Sequence, residues 1–266
     1  TNPNASYTYN WYDASSGCTL LATGTSYTTN AISGNTNFYV TATNATGSAT
    51  ATFTLTVTAA VVISAQPIGG ANGATLATQP VVQVVDGSGN AIASFTSNVV
   101  AAIASGTGTL SGTTTVAAVA GVATFTNLVI TGNAGAFTLR FTPTGFTAAT
   151  SNTLTITAGA ASKYLVSSAS TSPTAGSAVT ISAQLSDASG NAVSTAGKTV
   201  TWSKSNANGS FAIATSTTDA AGIATVSFTV HTVSATSTTV TATSSTPTLT
   251  GTGSTITTVT GADSKI

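Results

Sequence analysis

Charge is what this sequence has least of. Only 4% of its 266 residues are charged, five Lys plus Arg against five acids, for a net charge of zero; an ordinary soluble chain carries about 25%. All five acids are aspartates, Asp13, Asp86, Asp187, Asp219 and Asp263, and both glutamate and methionine are absent. With no basic stripe to neutralise phosphates, no nucleic-acid partner is expected. The aspartates are scattered, which disfavours paired-carboxylate chemistry. His231 is the only histidine, so a nucleophilic triad or a histidine metal site has one place to form. It falls on the Thr-rich outward face of a predicted strand and reads as a surface residue. No catalytic residue, metal or cofactor is expected.

Cysteine and long apolar runs are scarce as well. Cys18 is alone, so no disulfide closes within the chain, and it reads as a small, partly buried hydrophobe. The longest apolar runs, Ala59 to Ile63 and Val99 to Ala104, fall far short of the roughly 20 residues of a spanning helix. No membrane insertion is expected. The chain opens Thr1-Asn2-Pro3-Asn4, without a charged and apolar leader, so any signal peptide is expected to be removed or to lie outside this stretch.

What fills the chain instead is Thr, Ser, Ala, Val and Gly. Thr and Val are β-branched and suit pleated strands, while Gly, Ser and Ala tolerate turns and close packing. The fold class is therefore all-β. A repeat organises it: Asp86-Gly-Ser-Gly-Asn90-Ala91 recurs as Asp187-Ala-Ser-Gly-Asn191-Ala192, and Ala120-Gly-Val-Ala-Thr-Phe125 as Ala221-Gly-Ile-Ala-Thr-Val226. Both recurrences lie 101 residues on (187 − 86 and 221 − 120). A unit of about 100 residues is the size of an immunoglobulin-type sandwich.

Period-two alternation places seven strands in each full unit. In one they fall near 61–65, 80–86, 98–104, 109–118, 121–130, 136–142 and 151–157. In the next they fall near 163–168, 176–187, 198–205, 211–218, 222–231, 236–244 and 252–259. There Ala224, Val226, Phe228 and Val230 face inward. The first stretch offers only four or five strands, near 7–12, 19–22, 25–29, 36–44 and 48–58. The expected modules are thus a partial one at 1–59, full ones at 60–158 and 159–260, and the start of a following module or linker at 261–266. Two readings account for the ends: a segment cut from a longer array, or a fibre protomer completed by a strand from a neighbouring chain.

The motifs also carry resemblances. The stretch holding Asp187 to Asn191, Val200-Thr-Trp-Ser203 and Thr218-Asp-Ala-Ala-Gly-Ile-Ala-Thr225 resembles the bacterial immunoglobulin-like repeats of invasin and intimin. The middle unit, with Leu76-Ala-Thr-Gln-Pro80 and Gly106-Thr-Gly-Thr-Leu110, looks like a related repeat of large bacterial secreted proteins. The first, with Tyr9-Asn-Trp-Tyr-Asp13 and Leu20 to Tyr27, resembles immunoglobulin-like modules of giant Bacteroidota surface proteins. These resemblances imply tandem immunoglobulin-like β-sandwich modules in an elongated array, part of a secreted cell-surface adhesin or filament. The partners they imply are neighbouring modules of the same or identical chains.

Individual residues add little chemistry. The two Asp-x-Ser-Gly-Asn segments open like a calcium loop, but position 6 is alanine and position 12 is Ser97 or Lys198, where an EF-hand needs Gly and Glu. They read as tight turns. Tyr7, Tyr9 and Trp11 share a strand face and read as core, with Trp202 as core of its own unit. Tyr12, on the opposite face, is the one candidate ligand contact, which would suit a surface glycan. Lys198 and Lys204 are available for an isopeptide crosslink, but the only acids nearby are Asp187 and Asp219. Asn4, Asn44 and Asn208 head glycosylation sequons.

Overall fold

The computed structural model describes residues 7–13, 18–27, 36–44, 46–55 and 59–261, the side chains of 36 and 51–55 excepted. Every regular element among them is a strand. The first sheet runs in the order β2-β1-β3-β4, from β1 (Thr8–Tyr12), β2 (Leu20–Thr23), β3 (Thr36–Asn44) and β4 (Gly47–Leu55). Trp11, Tyr27 and Phe38 stack in series on one face, with ring centroids 6.3 and 5.7 Å apart. The expected aromatic core is only partly closed here: Phe38 is buried, Tyr9 and Trp11 are half-buried and Tyr7 is exposed. The strand expected at 25–29 is absent over 25–27, and its remainder, like 261–266 beyond Gly261, lies outside the described residues.

The second module holds β5 (Ala60–Ala65), β6 (Val81–Val85), β7 (Asn98–Ser105), β8 (Gly108–Ser111), β9 (Thr115–Ala117), β10 (Val122–Thr124), β11 (Val129–Gly132), β12 (Gly135–Pro143), β13 (Ala149–Thr150) and β14 (Leu154–Ile156). Alternation in β12 sends Phe137, Leu139 and Phe141 inward and Thr138, Arg140 and Thr142 outward. The run expected as one strand over 121–130 is broken, and the break changes sheets: β10 pairs with β6 while β11 pairs with β8. Gln79 holds the break open, its Oε1 accepting from Leu128 N at 2.9 Å and its Nε2 donating to Leu128 O at 3.1 Å.

The third module is the more regular sandwich. One sheet orders β15 (Lys163–Ser168), β16 (Ala178–Ser186), β20 (Ile223–Thr229) and β18 (Ser210–Phe211). The other orders β19 (Thr215–Thr217), β17 (Thr199–Lys204), β22 (Val240–Ser245) and β23 (Thr248–Thr252), with β21 (Ser237–Thr238) pairing β24 (Ile256–Thr257) at one end. Val179, Ile181, Ala183 and Leu185 of β16 and Ala224, Val226 and Phe228 of β20 meet Val200, Trp202, Val240 and Ala242 across the core. Trp202 is buried and its Nε1 donates to Ser216 Oγ at 2.9 Å. The strand expected at 236–244 is found as β21 and β22 and that at 252–259 as the short β24, while a further strand, β23, lies between them and forms a hairpin with β22 that turns at Thr246-Pro247.

The two repeated motifs occupy the same turns in both modules. Asp86 N and Asp187 N donate to Asn90 O and Asn191 O, and Ile92 N and Val193 N donate to Val84 O and Leu185 O. In the second motif, Gly222 holds φ +79° and a Cβ there would sit 1.9 Å from Val193 O; only glycine lets the chain pass so close. Each module has its own apolar cluster, one around Phe125, Phe137 and Phe141 and one around Phe228, Leu185 and Trp202. Phe228→Ala is expected to cost the third module about 3–5 kcal/mol in denaturant titration, since it empties a closed site. Tyr164 is buried with no hydrogen-bond partner for its hydroxyl, so Tyr164→Phe is expected to leave the same midpoint unchanged or raise it.

Candidate functional site at the junction of two modules

The Asp187 to Asn191 turn begins as local chemistry. Asp187 Oδ1 accepts from Asn191 N at 2.9 Å, and Gly190 sits at φ +89°. Its second carboxylate oxygen does more. Oδ2 accepts from Gly159 N at 2.9 Å, from Asn191 Nδ2 at 2.9 Å and from Asn72 Nδ2 at 2.8 Å. Asn72 belongs to the second module, so the carboxylate joins two sandwiches.

The bonds run in both directions. Asn72 Nδ2 also reaches Ser189 Oγ at 2.9 Å, while its Oδ1 accepts from Gly132 N at 2.8 Å, keeping the amide fixed within its own module. From the other side, Asn191 Nδ2 donates to Gly132 O at 2.8 Å and its Oδ1 accepts from Ala134 N at 2.7 Å. Lys163 Nζ closes the edge on Ala188 O at 3.0 Å. The backbones approach closely here, for a Cβ on Gly159 would lie 2.7 Å from Asn72 O.

Asp187 is 1% exposed. Burial works to raise its pKa, but the donors from Asn191, Gly159 and Asn72 outweigh that and hold the carboxyl well below the usual aspartate range. The arrangement suits fastening rather than proton transfer: a carboxylate this stabilised neither gives nor takes a proton near neutrality.

The other candidate residues do not gather. Asp86 and Asp219 serve as turn acceptors, Asp86 for Ser88 N and Asn90 N and Asp219 for Ala221 N and Ile223 N. The turn reading of both repeated segments therefore holds. His231 lies beyond the end of β20, half-buried rather than on an outward strand face, and its Nδ1 accepts from Val233 N at 3.0 Å. Lys198 Nζ donates to Thr246 O, and Lys204 Nζ to the carbonyls of Ala207, Asn208 and Gly209; among the described residues neither meets the acid a crosslink needs. Cys18 is exposed, not partly buried. Tyr12 ends β1 half-buried and in register with Tyr39. An open groove of about 960 Å³ lies beside β7 and β12, lined in part by Val100, Arg140, Thr142 and Phe146. No group of three His, Cys, Asp or Glu able to hold a metal is present among the described residues, and no helix among them is long and apolar enough to cross a membrane.

The class defined by this fold and junction is an all-β chain of immunoglobulin-like modules, two of them fastened end to end. Residues 1–62 match the family model of the Ig-like domain, CHU_C associated. No curated protein matches the chain. Among solved structures, the chain is similar to the D00-D0 domain of intimin (15% identity, 76% of this chain and 99% of that one, TM-score 0.42). It is also similar to the D0-D1 domain of intimin (20%, 77% and 99%, TM-score 0.32) and to the Escherichia coli adhesin FdeC (16%, 83% and 74%, TM-score 0.34).

Asp187→Ala leaves the amides of Asn72, Gly159 and Asn191 without their acceptor, a cost of about 1–3 kcal/mol. The expected outcome is a lower midpoint for the third module in denaturant titration. Because the carboxyl titrates lower folded than unfolded, its contribution is complete above the unfolded aspartate pKa of about 3.9 and is lost as pH falls below that. Stability measured from pH 7 down to pH 2 is expected to fall less steeply in Asp187→Ala than in the parent.

Proposed function

We propose that this chain is a structural and adhesive segment of a large secreted bacterial surface protein, a stalk whose modules hold a binding end away from the cell. The observation that carries the reading is the junction: a buried carboxylate ringed by amides from both sides resists bending in a way a free linker does not. The role is mechanical, and its partners are neighbouring modules, in the same chain or in identical chains. The scarcity of charge supports the extracellular stalk as well, since a polar, weakly charged Thr-rich surface lets adjacent rods lie side by side. Small-angle scattering of the whole chain tests this. An elongated pair-distance distribution with a long tail is expected; a compact globule overturns the reading.

A second reading rests on Tyr12. Its register partner is Tyr39, also half-buried, so two tyrosines sit side by side on the face opposite Trp11, and such a pair suits stacking on a sugar ring. Glycan-array binding that disappears in Tyr12→Ala, with circular dichroism unchanged, supports a carbohydrate contact. Equal binding by parent and variant excludes Tyr12 from it.

A further inference from the structure

Among the described residues, the clamp has a twin that nothing fills. Asp86-Gly-Ser-Gly-Asn90 has the backbone bonds of the 187–191 turn, with Asp86 Oδ1 accepting from Ser88 N and Asn90 N at 2.9 Å each. Among the described residues, none outside the turn donates to its carboxylate, and Gly87 to Asn90 are exposed. Among the described residues, the counterpart of Asp187 thus stands without equivalents of Asn72, Gly132 and Ala134.

We propose that the Asp86–Asn90 turn is the docking site for the linker-side end of the first module, which closes on it to form a second joint. Chain continuity names this occupant. In the filled joint, the module seated on the turn is the one that immediately precedes it, with seven residue steps between Ile156 and Lys163, a span of at most about 25 Å. From Leu55 to Ala60 there are five steps, at most about 18 Å, so the first module's end is tethered closer still. Chemistry agrees with continuity: Asn37, exposed and paired with Thr54 next to the end of β4, brings to that end a carboxamide of the kind that Asn72 supplies. The far end of the third module does not offer this chemistry. Ala175 N donates to Val259 O as Asn72 N donates to Thr157 O, so alanine stands where the fastening asparagine would be.

The inference rests on the stalk reading but fails separately from it. The natural Cys18, in the loop between β1 and β2 at the linker-side end, and a Thr96→Cys substitution on the second module provide two spin-label sites in the whole chain. Electron–electron double resonance is expected to give a narrow distance peak that is independent of concentration. Asp86→Asn keeps the Oδ1 acceptor for Ser88 and Asn90 but turns the other oxygen into a donor, so the narrow peak is expected to be lost; Asp187→Asn leaves it in place. A broad distribution in the parent, a narrow peak that survives Asp86→Asn, or narrowing only as concentration rises overturns the proposal. A rod by scattering with a broad label distance refutes the second joint alone, while a compact globule with a narrow one refutes the stalk alone.

Discussion

One buried carboxylate organises the junction on which the proposed role depends. Removing a charge from water costs several kcal/mol unless the protein replaces its solvation. Around Asp187 the replacement comes from Gly159, Asn72 and Asn191. Asn72 is a residue of the second module, and Asn191 is tied in turn to Gly132 and Ala134 of that module. Each sandwich thereby helps to satisfy groups on the other. Pulling them apart exposes a carboxylate and several amides to be rehydrated one by one, so the two modules are coupled although their apolar clusters are separate.

That coupling is compatible with a chain made mostly of small residues. Gly159 admits the Asn72 carbonyl and Gly222 admits that of Val193. Small side chains let backbones meet, and backbone amides then supply the solvation that charged side chains would otherwise provide. Weight in the cores comes from a few large residues, Phe125, Phe137 and Phe141 in one module and Phe228 in the other.

Much of this was legible in the residues. β20 alternates without a break, β12 does so from Phe137 and β16 as far as Leu185, and the inward set of Ala224, Val226, Phe228 and Val230 is buried as the pattern requires. Legibility failed where a side chain replaces ladder bonds, as Gln79 takes Leu128 out of its strand, and where the turn at Thr246-Pro247 sets an additional strand, β23, beside β22. It failed more deeply at the junction. Asp86 and Asp187 lie in nearly the same six-residue segment, and only what approaches from outside distinguishes them. Asn72 lies 115 residues from its carboxylate partner, in a loop with no periodicity to mark it.

The fastening uses one charge and neutral amides rather than two opposite charges. Dissolved ions weaken interactions between exposed charges, with a screening length of about 8–10 Å at ordinary salt, whereas a dry carboxylate held by amide dipoles offers them little to compete for. Such a joint keeps the same geometry in dilute water and in brine, and a chain nearly free of other charges has little else for salinity to act on.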